Sequence, residues 1–123
     1  MSAAYLLRQA LDQLAQDFPD LKGCVLVEIS TGMVWHAAGG NENIAVLSEA
    51  ASDYWRLCGR LELPFAELGE LQACVFLHKN GRITMMQCGQ DMFLLTLSIH
   101  HAPVDWAAWQ KRTHAIAKMV NEL

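Results

Sequence analysis

Residues 71–99 read LQACVFLHKNGRITMMQCGQDMFLLTLSI, and their reading decides the fold. Asn80-Gly81 stands between two apolar runs. Both residue types reach positive φ at low cost, so the pair predicts a tight two-residue hairpin with Asn80 and Gly81 in its loop. Cys88-Gly89-Gln90-Asp91 predicts a second turn leading into a third strand. Strands over 71–78, 82–87 and 92–99 then form a meander.

Upstream, Ala4, Leu7, Leu11, Leu14 and Phe18 recur at three and four, which predicts a helix over 3–17, stopped by Pro19. Cys24 to Ile29 is almost entirely β-forming and apolar, as expected of a central strand covered on both faces. Ser30-Thr31-Gly32 turns the chain, and Met33 to Ala38 returns as a second strand ending at Gly39-Gly40. Asn41 or Asn43 can cap a second helix over 43–59. One stripe of that helix is Ile44, Leu47, Ala51, Trp55 and Cys58; Ala45, Ser48 and Ser52 form another face of small side chains. Residues 60–70 contain Pro64 and read as an irregular connector. Beyond Pro103, a last helix is expected over 104–121, with Trp106, Trp109, Thr113, Ile116, Val120 and Leu123 on one broad face. The predicted fold is therefore α+β, in the order α-β-β-α-β-β-β-α. Its five-stranded antiparallel sheet carries the terminal helices on one face and the middle helix on the other.

The 123 residues fit one domain, 1–123, large enough to bury a core without staples. A net charge of -4 with no Lys/Arg run argues against nucleic acid and anionic membranes as partners. No apolar run is long enough to span a bilayer and the N-terminus lacks a signal-peptide pattern, so no membrane insertion and a cytoplasmic location are expected. Cys24, Cys58, Cys74 and Cys88 include no C-x-x-C pair and read as free thiols in the core.

The search for chemistry finds no expected catalytic, cofactor or metal residues. Gly39-Gly40 lacks the framework of a phosphate loop and reads as a strand-to-helix turn. His100-His101 are neighbours that would point to opposite sides of a strand. Cys74 and His78 share a strand face but lie roughly 13 Å apart along it, too far to share a tetrahedral metal. Cys24, Cys74 and Cys88 remain free to approach one another across strands. The serines have no nucleophile motif around them. Glu28, a lone charge in an apolar strand, is expected at a solvated strand end or paired with Lys22 or Arg82.

Association surfaces are better marked. Tyr54 and Trp55 are adjacent on a helix, about 100° apart, so one can face the sheet while the other reaches a partner. Strand 71–78 begins the meander after an irregular connector, which puts it at a sheet edge. It is apolar and free of Pro, and such an edge recruits another chain unless protected. Pairing with its own copy across a two-fold axis would satisfy its backbone groups.

The order of elements, together with GCVLVEISTGMVWHAAGG and LGELQACVFLHKNGRITMMQCGQDMFLLTLSI, resembles the Roadblock/dynein light chain domain family over nearly the whole chain. Profilin-like and longin-like domains share related layouts. The resemblance implies a homodimer in which middle helices pack together and third strands pair. It would place Ala45, Ser48, Ser52 and Trp55 at the helix seam and Leu71, Ala73, Val75 and Leu77 along the paired edge. It further implies a non-catalytic adaptor or regulator, with a small Ras-like GTPase as the expected client and no cofactor. Tyr54, Arg56 and Arg60 are the candidate partner surface. An arginine acting in trans on a nucleotide is conceivable at Arg56 or Arg60, although a lone surface arginine is ordinarily solvated. Tyr54-Trp55-Arg56 and the paired tryptophans Trp106 and Trp109 depart from the plainest family pattern. The alternative is a small-molecule-sensing module of the same fold group, its pocket lined by Met33, Met85, Met86, Met92 and the tryptophans.

Overall fold

The computed structural model describes residues 1–40 and 43–123. Its elements are α1 (Ala3–Asp17), β1 (Leu21–Glu28), β2 (Val34–Ala38), α2 (Ile44–Gly59), a short 3-10 turn (Ala66–Leu68), β3 (Ala73–His78), β4 (Gly81–Gln87), β5 (Met92–Ser98) and α3 (Trp106–Val120). The expected order and fold class are realised. The strands form one antiparallel five-stranded sheet in the order β2-β1-β5-β4-β3. β1, β5 and β4 are interior, and β2 and β3 are the two edges.

Alternation along the interior strands sorts the core into two layers. Cys24, Leu26, Met86, Met92 and Leu94 face one side, where Leu7, Leu11 and Leu14 of α1 and Trp109, Ile116 and Val120 of α3 cover them. Val25, Val27, Met85, Phe93 and Leu95 face the other, under Ile44, Ala51 and Trp55 of α2. Because consecutive strand residues are apolar on both faces, the sheet needs helices on both sides, and it has them. On the first side, Arg112 Nη1 donates to Asp17 Oδ2 at 2.7 Å, tying α3 to the end of α1. Hydrogen bonds from Gln13 and Arg112 hold the Asp17 carboxyl below its ordinary value.

β2 carries a bulge at Trp35, since Leu26 pairs with His36 and Val27 with Val34. A bulge turns two successive side chains to one face. Trp35 and His36 accordingly both meet α1: the Arg8 guanidinium lies 4.8 Å from the Trp35 ring centre, and His36 Nε2 lies 2.9 Å from Asp12 Oδ1.

Three turn assignments need comment. The hairpin at Asn80 forms, but His78 pairs with Gly81, so the loop is Lys79-Asn80 and neither Asn80 nor Gly81 has positive φ. Glycine here occupies the fourth turn position, which unprimed turns favour, and is already part of the ladder. In the next turn, Gly89 and Asp91 do take positive φ. Asp91 accepts from Ser30 N–H and Oγ at 3.2 and 2.7 Å, fastening the β4–β5 side of the sheet to the β1–β2 turn. Gly39 and Gly40 also have positive φ and form the strand-to-helix turn. A Cβ on Gly40 would lie 2.9 Å from the Lys22 carbonyl oxygen. The Gly40→Ala variant is therefore expected to lose about 1–3 kcal/mol in chemical denaturation, through left-handed backbone strain and a backbone clash.

Asn43 is the residue preceding α2, and its carbonyl accepts from Leu47 N–H at 3.0 Å; the alternative cap, Asn41, lies outside the described residues. Asp105 caps α3 by accepting from Ala108 N–H at 3.1 Å. Glu28 pairs with neither Lys22 nor Arg82. It accepts from Thr31 Oγ1 at 2.9 Å, within its own turn, while Arg82 lies 4.0 Å above the Trp106 ring.

Candidate association surface

α2 has two unlike faces. Ile44, Ser48, Ala51, Ser52 and Trp55 form its inward face and are buried within one chain. Trp55 is only 6% exposed and stacks on Phe93 with ring centres 5.4 Å apart. The buried hydroxyls of Ser48 and Ser52 donate to the Ile44 and Glu49 carbonyls of the same helix, each at 2.6 Å. A serine satisfied in this way loses most of its claim on water and packs as a small residue. Ser48, Ser52 and Trp55 are thus spent on the domain's own sheet and offer no surface to a seam. Ala45, the fourth residue assigned there, is exposed.

The outward face carries the apolar surface instead. Val46 and Leu57 are 66% and 57% exposed, and Leu47, Ala50 and Leu61 are also exposed. At about 100° per residue, Val46, Ala50 and Leu57 line one narrow stripe, with Leu47 and Tyr54 on one flank of it and Leu61 in the turn just beyond the helix. That flank lies over β3: the Tyr54 ring stacks on Phe76 at 4.3 Å. The opposite flank is charged and leans toward the β1–β2 turn. There Arg56 donates to Ile29 O at 3.2 Å and to Asp53 Oδ1 at 2.6 Å.

β3 is an edge strand, as expected, hydrogen-bonded only to β4. Cys74 and Phe76 turn toward α2, while Ala73, Val75 and Leu77 turn to the other face, where they are exposed. Val75 and Leu77 are 48% and 60% exposed, and Leu71 is half-buried. The outer stripe of α2 and the exposed side chains of β3 are both mostly apolar, and they lie on opposite faces of the sheet. Tyr54, Arg56 and Arg60 do not converge on one patch. Tyr54 lies over β3, Arg56 is tied down on the far flank, and Arg60 is exposed just past the helix end.

The residues considered for chemistry are dispersed. Cys24 and Cys88 lie on the α1/α3 side of the sheet and Cys74 on the α2 side, so the three do not approach as a set. Among the described residues, no group of three or more His, Cys, Asp or Glu side chains could hold a metal ion. His100 Nδ1 and His101 Nε2 face each other at 2.8 Å. Met85 packs on one side of the sheet, Met86 and Met92 on the other, and Met33 is 68% exposed, so the methionines cannot line one pocket. Among the described residues, no helix is long and apolar enough to cross a membrane.

No protein-family model matches the sequence, and comparison with curated proteins gives no match either. Solved structures do match. A Roadblock/LC7 domain from Streptomyces avermitilis superposes with a TM-score of 0.79 at 20% identity, covering 94% of each chain. MglB from Myxococcus xanthus gives 0.78 at 16% identity, over 97% of this chain and 87% of that one. The gliding protein MglB from Thermus thermophilus gives 0.75 at 14% identity, over 100% and 95%. Helix, hairpin, helix, meander and helix are thus arranged here as in those proteins, and the chain has the Roadblock/LC7 fold.

Proposed function

We propose that residues 1–123 form a single Roadblock-like domain that acts in the cytoplasm as a non-catalytic homodimeric adaptor or regulator of a small Ras-like GTPase. The observations that carry this reading are the unpaired β3 rim and the apolar outer stripe of α2. A two-fold copy would add strand to strand at the rim and lay stripe against stripe above it, removing both from water together. The fold shared with the MglB structures supports the GTPase client, as does the resemblance in sequence pattern.

The seam in this proposal is Val46, Leu47, Ala50, Leu57 and Leu61 with Leu71, Ala73, Val75 and Leu77. Ala45 lies at its margin, and Tyr54, Arg56 and Arg60 are left at its borders for a client. The test combines solution mass with GTPase binding. The chain is expected to sediment as a dimer. It is also expected to bind a Ras-like GTPase of its own genome in one nucleotide state, changing the rate of GTP hydrolysis. A monomer at high concentration, with no binding to any such GTPase in either nucleotide state, would refute the proposal.

A further inference from the structure

Among the described residues, the fold brings together the thiols of Cys58 and Cys74 from different elements. Tyr54 of α2 sits on Phe76 of β3. One helical turn later on α2, and two residues earlier on β3, Cys58 comes over Cys74, and its nearness disfavours the Cys74 thiolate. Both pack into the α2-side layer of the core. They differ in access. Cys74 is buried, whereas Cys58 is half-buried and lines an open groove of about 470 Å³ with Leu61, Phe65, Leu68, Leu71 and Ala73. Cys24 and Cys88 are fully buried on the other side of the sheet.

We propose that Cys58 and Cys74 form a reversible intrachain disulfide by exchange with a low-molecular-weight disulfide such as oxidised glutathione. The Cys58 thiolate, reached through the groove, attacks one sulfur of the reagent. Its S–S bond breaks, and the expelled glutathione thiolate takes up a proton. The Cys74 sulfur then attacks the Cys58 sulfur of the mixed disulfide. This expels the second glutathione as a thiolate, and the Cys74 proton balances it. Two protein thiols are oxidised by two electrons, and one glutathione disulfide is reduced to two thiols. The link ties the end of α2 to the rim strand within a single chain, so it stands whether or not the chain dimerises.

The second step limits the rate. Burial first, and then the neighbouring Cys58, push the Cys74 thiol up to about 12. Closure should therefore quicken as pH rises, as the Cys74 thiolate fraction grows.

The native protein would be incubated with oxidised glutathione, alkylated and mapped by non-reducing peptide mass spectrometry. The expected product has lost two hydrogens, contains one Cys58–Cys74 crosslink and reverts with dithiothreitol. Cys24 and Cys88 should be alkylated only after denaturation. Cys74→Ser should stop at a glutathione adduct on Cys58, and Cys58→Ser should not react. The proposal fails if the native wild-type protein halts at the mixed disulfide, links Cys58 between two copies, crosslinks through Cys24 or Cys88, or does not react. The wild-type map decides the matter even if a variant folds poorly.

Discussion

Trp55→Ala is expected to lower the unfolding free energy by about 3–5 kcal/mol, the usual cost of deleting a large buried aromatic. The side chain is nearly inaccessible, and its ring lies almost parallel to Phe93, at an interplanar angle of 10°, beneath α2. Removing it leaves a void between the helix and the central strand, which the sheet cannot close without moving β5. Domains of this kind are commonly stable by only about 5–15 kcal/mol, so the loss would be plain in a urea titration followed by circular dichroism. Leu57→Ala, two residues along the same helix but 57% exposed, should change the stability of an isolated chain by no more than about 0.5 kcal/mol. Equal losses at the two positions would show that α2 is rotated about its axis relative to the arrangement described.

The second large effect concerns association. Val75→Lys places a charge on the exposed rim of β3, and Leu57→Glu places one in the outer stripe of α2. Under two-fold symmetry each substitution enters the seam twice, and a substitution near the axis sets like charge against like charge. Each is expected to weaken the dimer by about 2–4 kcal/mol, or roughly 30- to 1,000-fold in dissociation constant. Sedimentation equilibrium over a range of concentrations measures this directly. Circular dichroism should stay unchanged, because neither side chain is part of either core layer. If both variants keep the wild-type mass profile, the stripe and rim are not the seam.

Much of the fold was legible in the sequence because apolar periodicity is a strong signal. Leu7, Leu11 and Leu14 marked α1, and the unbroken run from Cys24 marked an interior strand. The open edge at 73–78 followed from its place in the meander. The faces of α2 were less legible. Leu47 was read on one stripe with Ile44, Ala51 and Trp55 but is exposed where they are buried; the resemblance placed Ser48 and Ser52 at the seam, and they are buried. Hydropathy scores the side chain alone, whereas a serine in a helix can return its hydroxyl to a carbonyl one turn back. A second apolar periodicity at 46, 50 and 57 was present and would have revealed the outer stripe. The Asn80-Gly81 signal gave the hairpin but not its register, since glycine serves either inside such a loop or just after it. The partnership of Cys58 with Cys74 had no local signal. It arises only when α2 is laid along β3.

The placement of α1 and α3 bears on how the protein can be handled. Both pack on the sheet face opposite α2, and Met1 and Leu123, at their outer ends, are 92% and 54% exposed. An affinity handle or fluorophore fused at either end would emerge on that far side. Surface immobilisation through such a fusion should leave α2 free to meet whatever is flowed over it.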